Sequence, residues 1–411
     1  MDHAPAKSLR DRARDPAFTP WSLLLLLMAT TAIGPTSLNI LVPAVPELSH
    51  QFGTPATTMQ LTVSLFLIGL AVAQLVMGPL SDRFGRRPVM LGGLALTVLA
   101  SLMAIVMPTV ESVIAARILQ AVGASAGIVV ARAIIRDLFG RERAASVLGL
   151  VATVMVAAPT FGPLLGGLLE TFFRWQAIFV FTALTSLAVA IWAAVTLPET
   201  RGLNAPAGPA VGFRGDLKAL ARSRSFIGYV LVAAVGSSTF FVFLGGGPHV
   251  IVTLMGRTSA EYGLWFALSS VGYMAGNFTA SRLSMRHGIQ ALIRWGIGFE
   301  IVGVALATLL AWTAQDFGPT IVFLPQMVIA FGNGLLLPGA IAGATSVRPQ
   351  AAGTAAGIIG CTQMGLGAAA VQYAAAVLND ATSALPMAVL MALMVVALAA
   401  SFWLIARPSG R

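Results

Sequence analysis

The sequence predicts an all-helical, membrane-embedded bundle of twelve spans, and three observations carry that prediction. Of the 411 residues 57% are hydrophobic and 10% charged, whereas a soluble domain carries about a quarter charged residues. The apolar residues fall into long runs such as 21–43, 57–79 and 88–107, each near the roughly 20 residues that cross a bilayer as a helix. Lysine and arginine gather in alternate loops, the asymmetry that orients membrane helices with their basic loops in the cytoplasm. A β-barrel is disfavoured, because its strands would alternate polar and apolar over about ten residues while these runs are apolar on every side. The net charge of +10 and the pI near 11.1 are explained by the loops, so no nucleic-acid partner is implied. The single cysteine, Cys361, excludes an internal disulfide and a cysteine-built metal site.

Segment 1–20, with Lys7, Arg10, Arg12 and Arg14, reads as cytoplasmic. Span 1 follows at 21–45 with no small-residue cleavage pattern after it, which marks a retained helix and not a signal peptide. It carries Asn39 and ends in Pro43-Ala-Val-Pro46. Span 2, 57–80, contains Gln60 and Gln74 and runs into Gly78-Pro-Leu-Ser-Asp82-Arg83-Phe-Gly85-Arg86-Arg87-Pro88. Gly78 removes a side chain where helices approach, and Gly85 permits a tight turn. Asp82 is placed to accept hydrogen bonds from an adjacent helix N-terminus, where the dipole favours negative charge. Span 3 is 88–107.

Span 4, 112–137, holds Arg117-Ile-Leu-Gln120-Ala-Val-Gly123, Arg132 and, at its end, Asp137. A charge inside an apolar helix costs about 3 kcal/mol or more and persists where it works. Arg117 therefore either binds polar or anionic substrate groups, tunes a carboxylate it meets, or snorkels to the interface. Arg132 either faces a cavity or is satisfied by a distant helix. In span 5, 144–169, Ala158-Pro159-Thr-Phe-Gly162-Pro163-Leu-Leu-Gly166-Gly167 sets small residues four apart, which lets helices touch backbone to backbone while the prolines interrupt the hydrogen-bond ladder. Span 6 is 175–197. The interval 198–225 has the glycine, proline and basic composition of a flexible linker and divides a six-helix half, 21–197, from a second, 226–406, with a tail at 407–411.

Span 7, 226–254, brings Phe240, Phe243 and His249; span 8, 260–282, brings Tyr273. The loop Gly276–Gly288 after span 8 echoes the loop after span 2, a trace of internal duplication. Span 9, 289–312, places Glu300 in mid-membrane, either as a coupling group or as a neutral, hydrogen-bonded packing residue. Span 10, 318–345, holds Asn333; span 11, 351–378, holds Gln363, Gln372 and Tyr373; span 12 is 383–406. With Gln60, the aromatic and amide residues of these spans are candidates for lining a cavity suited to moderately hydrophobic ligands.

The Gly78–Pro88 loop resembles the signature loop of the major facilitator superfamily, Arg117 to Gly123 its span 4 pattern, and Pro159 to Gly167 the motif of its exporters. Across all twelve spans the chain resembles the Bcr/CflA branch of the twelve-helix drug:H+ antiporters, through Pro43–Pro46, Gly246-Gly-Pro248, Glu261-Tyr-Gly263, Gly276-Asn277, Gly332-Asn-Gly334 and Ala352-Gly-Thr354. The resemblance implies two six-helix halves related by a pseudo-two-fold axis, alternating access, a monomer in the bacterial inner membrane with both termini cytoplasmic, and export of small drug-like compounds in exchange for protons. It also implies that Asp82 meets the start of span 11 near Ala351, that Arg86 pairs with Asp137, and that this latch holds the outward-facing state. One position departs from the branch, where a carboxylate often stands before the span 1 proline motif: here it is Asn39, which carries no proton.

A carrier for uptake or facilitated passage on the same fold is the nearest alternative. A polytopic membrane enzyme is disfavoured, since four scattered histidines and one cysteine supply no catalytic set. No cofactor is expected and no phosphate-binding loop occurs, which leaves the proton gradient as the energy source.

Overall fold

The computed structural model describes residues 21–139, 141–201, 213–313 and 318–406, with side chains left aside at 141–143, 145–146, 152–158, 213–214 and 216. The basic segment 1–20, the tail 407–411, most of the linker's glycines and prolines, and Asp316 lie outside the described residues. Among the described residues twelve long helices are present: α1 Trp21–Ile40, α2 Leu61–Phe84, α3 Arg86–Val106, α4 Val110–Leu138, α5 Arg141–Phe173, α6 Gln176–Thr196, α7 Arg224–Pro248, α8 Ser259–His287, α9 Ile289–Thr313, α10 Thr320–Ser346, α11 Ala352–Leu378 and α12 Leu385–Ala406. Among the described residues ten helices are long and apolar enough to cross a membrane. Such runs become helices because no water in hydrocarbon satisfies an open N–H or C=O, and the helix pairs each within itself.

Local signals set the ends. Thr109 caps α4 by accepting from Ser112 N, Ser223 caps α7 from Phe226 N, and Thr258 caps α8 from Glu261 N. The junctions α2–α3 and α8–α9 each turn on a glycine at positive φ, Gly85 at 103° and Gly288 at 76°, so the duplicated loops repeat in backbone conformation as well as in sequence.

Packing repeats in the same way. Helix α1 packs on α4 and α5, α2 and α3 pack on α4, and α3 on α6; six helices later α7 packs on α10 and α11, α8 and α9 on α10, and α9 on α12. The halves meet where that symmetry requires, α2 on α11 and α5 on α8. The interval expected as a flexible linker contains a further helix, Phe213–Arg222, whose Leu220 is buried while Lys218 and Arg222 are exposed. Glycine and proline counts over the whole interval hid its short amphipathic pattern.

The helix ends that carry both chain termini also carry the arginine-rich loops, and are called here the basic end. Hydrogen bonds join the halves at the opposite end: Ser64 Oγ donates to Gln372 Oε1 at 3.2 Å, Gln372 Nε2 to Thr57 O at 2.8 Å, Ser259 Oγ to Pro43 O at 2.9 Å, and Ala260 N to Thr171 Oγ1 at 3.1 Å. Toward the basic end of α11, Gly353, Gly357 and Gly360 face open space. The halves are thus closed at one end of a shared seam.

Candidate functional site

The exporter-like segment forms part of that closure. A methyl on Gly166 would strike Ile40 O and one on Gly162 would lie 2.8 Å from Asn39 Cβ, so α5 touches α1 backbone to backbone. Gly167 packs in the same way on Ser259 O, and Gly263 of α8 on Pro163 O. Helix α5 runs unbroken through Pro159 and Pro163, and its small-residue face seals the halves at the opposite end.

Below this seal lies a cavity of about 200 Å³. Phe240, Phe243 and Ser237 reach it from α7, Phe266, Ser269 and Tyr273 from α8, Gln326 and Asn333 from α10, Gln363 and Met364 from α11, and Pro159 and Thr160 from α5. Among the described residues no lining side chain is charged. Five residues chosen on sequence chemistry, Phe240, Phe243, Tyr273, Asn333 and Gln363, are therefore gathered in one place. Phe266 and Gln326 belonged to the same site and escaped notice, although each is an aromatic or amide in an otherwise apolar span. The aromatic wall is continuous: Phe243 stacks on Phe266 with centroids 5.8 Å apart, and Phe240 meets Phe266 edge-on at 6.2 Å. Aromatic faces with a few amides and hydroxyls suit an uncharged ligand with several polar atoms.

With Pro159 of the exporter-like segment also at its wall, the candidates Arg117, Asn39, Gln60, Gln120, Arg132 and Glu300 do not line this cavity. Arg117, 2% exposed, points into the first half. Its Nε donates to Thr62 O at 3.2 Å, its Nη1 to Gln120 Oε1 at 2.9 Å and its Nη2 to Leu38 O at 3.4 Å, while the guanidinium lies 4.3 Å from the Phe66 ring centroid. Gln120 passes the network on to Ser101 Oγ at 2.7 Å. Arg117 thus does not snorkel and lies away from this cavity; it ties α1, α2 and α3 to α4. Asn39 donates to Pro35 O at 2.8 Å and lies in the α1–α5 contact. Gln60 lies with His249 in a small pocket between the halves at the opposite end. Arg132 is exposed on α4, one turn before Arg136, and is not among the cavity residues.

Glu300 is fully buried. No hydrogen bond of ordinary geometry reaches either carboxyl oxygen. The neighbouring polar group is the Thr239 hydroxyl, but it donates to Gly236 O at 2.8 Å and accepts from Asn333 Nδ2 at 3.0 Å.

At the basic end the expected Arg86–Asp137 pair is present, Nε to Oδ2 at 2.9 Å. Asp82 does not meet the start of α11; it pairs with Arg86 Nη1 at 2.5 Å and its side chain is 64% exposed. Gly78 makes no close helix approach either, since a methyl there would come no nearer than 4.0 Å to Val129. Neither expected contact is made in this structure, whose halves are joined at the other end. Arg83 is exposed with its guanidinium over Phe84 at 5.3 Å, and Arg87 Nη2 donates to Ala194 O at 2.6 Å.

Sequence reasoning missed Glu199. Its carboxylate accepts from Arg86 N at 2.9 Å and Arg87 N at 3.2 Å, capping α3 from the loop after α6. Burial alone pushes this carboxyl up, but N–H groups of Arg201, Arg86, Arg87 and Thr200 outweigh it and hold it below the usual range. A glutamate after Leu197-Pro198, just past a helix end in a basic loop, was the available signal.

A model of the Major Facilitator Superfamily matches residues 26–372. The chain is 33% identical over 344 residues to a chloramphenicol resistance protein of Pseudomonas aeruginosa, covering 82% of this chain and 80% of that one. It is 30% identical over 345 residues to multidrug resistance protein D of Escherichia coli (strain K12), covering 83% and 85%. Among solved structures, that of a D-xylose-proton symporter superposes with a TM-score of 0.76 at 15% identity over 94% of this chain and 97% of that one, a likeness of fold alone.

Proposed function

Since the chain belongs to the Major Facilitator Superfamily, in the Bcr/CflA-like branch of its twelve-helix drug:H+ antiporters, we propose that it exports small, uncharged, moderately hydrophobic compounds in exchange for protons. It is a multi-pass transporter and not an enzyme. The observation that carries the substrate class is the uncharged wall of aromatic rings, amides and hydroxyls between the halves. The relatives' names, with resistance to chloramphenicol among them, support the direction.

The protein works as a monomer in the bacterial inner membrane, with the basic end in the cytoplasm, as the arginine asymmetry supports. In that orientation the described conformation faces inward, sealed outside by α5 on α8 and by Gln372. Substrate enters from the cytoplasm, settles between α7, α8, α10 and α11, and leaves after the halves rock about the cavity. The two halves, 21–197 and 226–406, are the bodies that rock, joined by 198–225 with its helix.

Expression in a pump-deficient bacterium challenged with chloramphenicol, bicyclomycin and charged dyes tests the reading. Resistance to uncharged compounds is expected, with Phe243→Ala and Asn333→Leu abolishing it. Increased drug accumulation on expression would instead establish the uptake carrier that Asn39, in place of a carboxylate, keeps in contention.

A further inference from the structure

Deep in the second half stands a carboxyl group with nothing to solvate its charge. Glu300 is fully buried, and neither of its oxygens accepts a hydrogen bond of ordinary geometry. Among the described residues no ion pair reaches it. Of the helices packed against α9, α10 and α12 contain no titratable side chain at all. Helix α8 offers Tyr262 and Tyr273 within its span and only at its ends Glu261, Arg282, Arg286 and His287; α7 offers Tyr229 and, at the basic end, Arg224; on α9 itself Arg294 is exposed. An isolated carboxylate in such a place costs several kcal/mol unless its charge is paired or neutralised.

The position is also connected. Thr239 lies beside the Glu300 carboxyl, Asn333 Nδ2 donates to Thr239 Oγ1 at 3.0 Å, and Asn333 lines the cavity. The Oδ1 of Asn333 has no partner, nor has Oε1 of Gln326, another lining residue. Gly332, preceding Asn333, leaves room for Glu300: a methyl there would lie 3.0 Å from Glu300 Cγ.

We propose that Glu300 carries the exchanged proton and that Asn333 and Thr239 couple its release to occupancy of the cavity. The inference rests on the exchange reading given above. When a ligand acceptor takes the Asn333 amide, the bond from Asn333 to Thr239 breaks. The Thr239 hydroxyl then rotates from Gly236 O toward Glu300 and donates to it. The Glu300 O–H bond breaks, its proton passes to a water entering from the cavity, and the carboxylate left behind accepts from Thr239. When the ligand leaves, Glu300 regains a proton from water and Asn333 returns to Thr239. Ligand and proton thus oppose one another, the sign antiport needs, by linkage and without sharing a binding atom.

Two measurements test this. Infrared difference spectra of the protein in lipid at neutral pH, without ligand, should contain a protonated carboxyl C=O band that Glu300→Gln removes and Thr239→Val or Asn333→Leu shifts; the absence of any band lost in Glu300→Gln overturns the proposal. In weak buffer with a pH indicator, chloramphenicol should release about one proton per wild-type molecule and none from Glu300→Gln. Thr239→Val, which retains the carboxyl and guards against a misfolded Glu300→Gln, should release several-fold less. A wild type that releases no proton removes the exchange reading and this one together. A wild type that releases a proton, with Glu300→Gln releasing as much, overturns only the role of Glu300.

Discussion

A guanidinium enclosed by four helices and a carboxylate at a loop show how differently one charge behaves by location. Arg117 donates to Thr62 O, Leu38 O and Gln120 at once, and hydrogen bonds to charged groups contribute about 1.5–3 kcal/mol each when buried. A lysine keeps the charge but not the planar fork that reaches three helices. Arg117→Lys is therefore expected to lower stability by about 2 kcal/mol, seen as a lower melting temperature in detergent; an unchanged melt would show that the fork is dispensable. Glu199 acts at the surface, where screening keeps its worth near that of a helix cap, about 0.5–1 kcal/mol. Because the native state holds this carboxyl below its usual range, its contribution is present above the unfolded value of about 4.3 and fades as pH falls through the lower native value. Glu199→Gln should destabilise the protein at neutral pH and flatten the acid limb of its stability profile. A mutant whose loss is the same at every pH would assign the effect to packing.

At the scale of elements, glycines decide which helices touch. Gly166→Ala puts a methyl against Ile40 O within the first half, and overpacking of this kind costs about 1–3 kcal/mol; a lowered melting temperature with poor recovery from membranes is the expected outcome. Gly78→Ala meets only Val129 at 4.0 Å, so the described state should melt within about 0.5 kcal/mol of wild type while turnover falls if the basic end must close. Equal effects of the two substitutions on melting would contradict this division. The helices themselves were legible because each is one apolar run, and the duplicated glycine turns at Gly85 and Gly288 were legible as repeated spelling. Facing was not. Arg117, Gln120, Asn39, Asn333 and Gln363 are alike in being polar groups inside apolar spans, and a span apolar on all sides carries no periodic stripe to say which way each points. The first three turned inward within their half and the last two toward the cavity. The partners of Asp82 were unreadable for another reason: they depend on which end of the seam is shut, and one sequence must serve both states.

For the whole molecule we propose a competition between two closures, one at the basic end around Asp82, Arg86 and the glycines and one at the opposite end formed by α5, α8 and Gln372. Only the second is made here, and Gln372 is its polar pin, accepting from Ser64 Oγ and donating to Thr57 O. Neither bond survives in a state where α2 and α11 part at that end, so both weigh only on one side of the equilibrium. At about 1 kcal/mol each, their loss in Gln372→Leu should shift the population toward the state open at the opposite end by up to about 30-fold. Spin-label distances measured in pairs across each end report this directly. They should lengthen between the starts of α2 and α8 and shorten between the end of α2 and the start of α11, with the melting temperature little changed. Distances identical to wild type at both ends would mean that the glycine face of α5 holds the seal without help from Gln372.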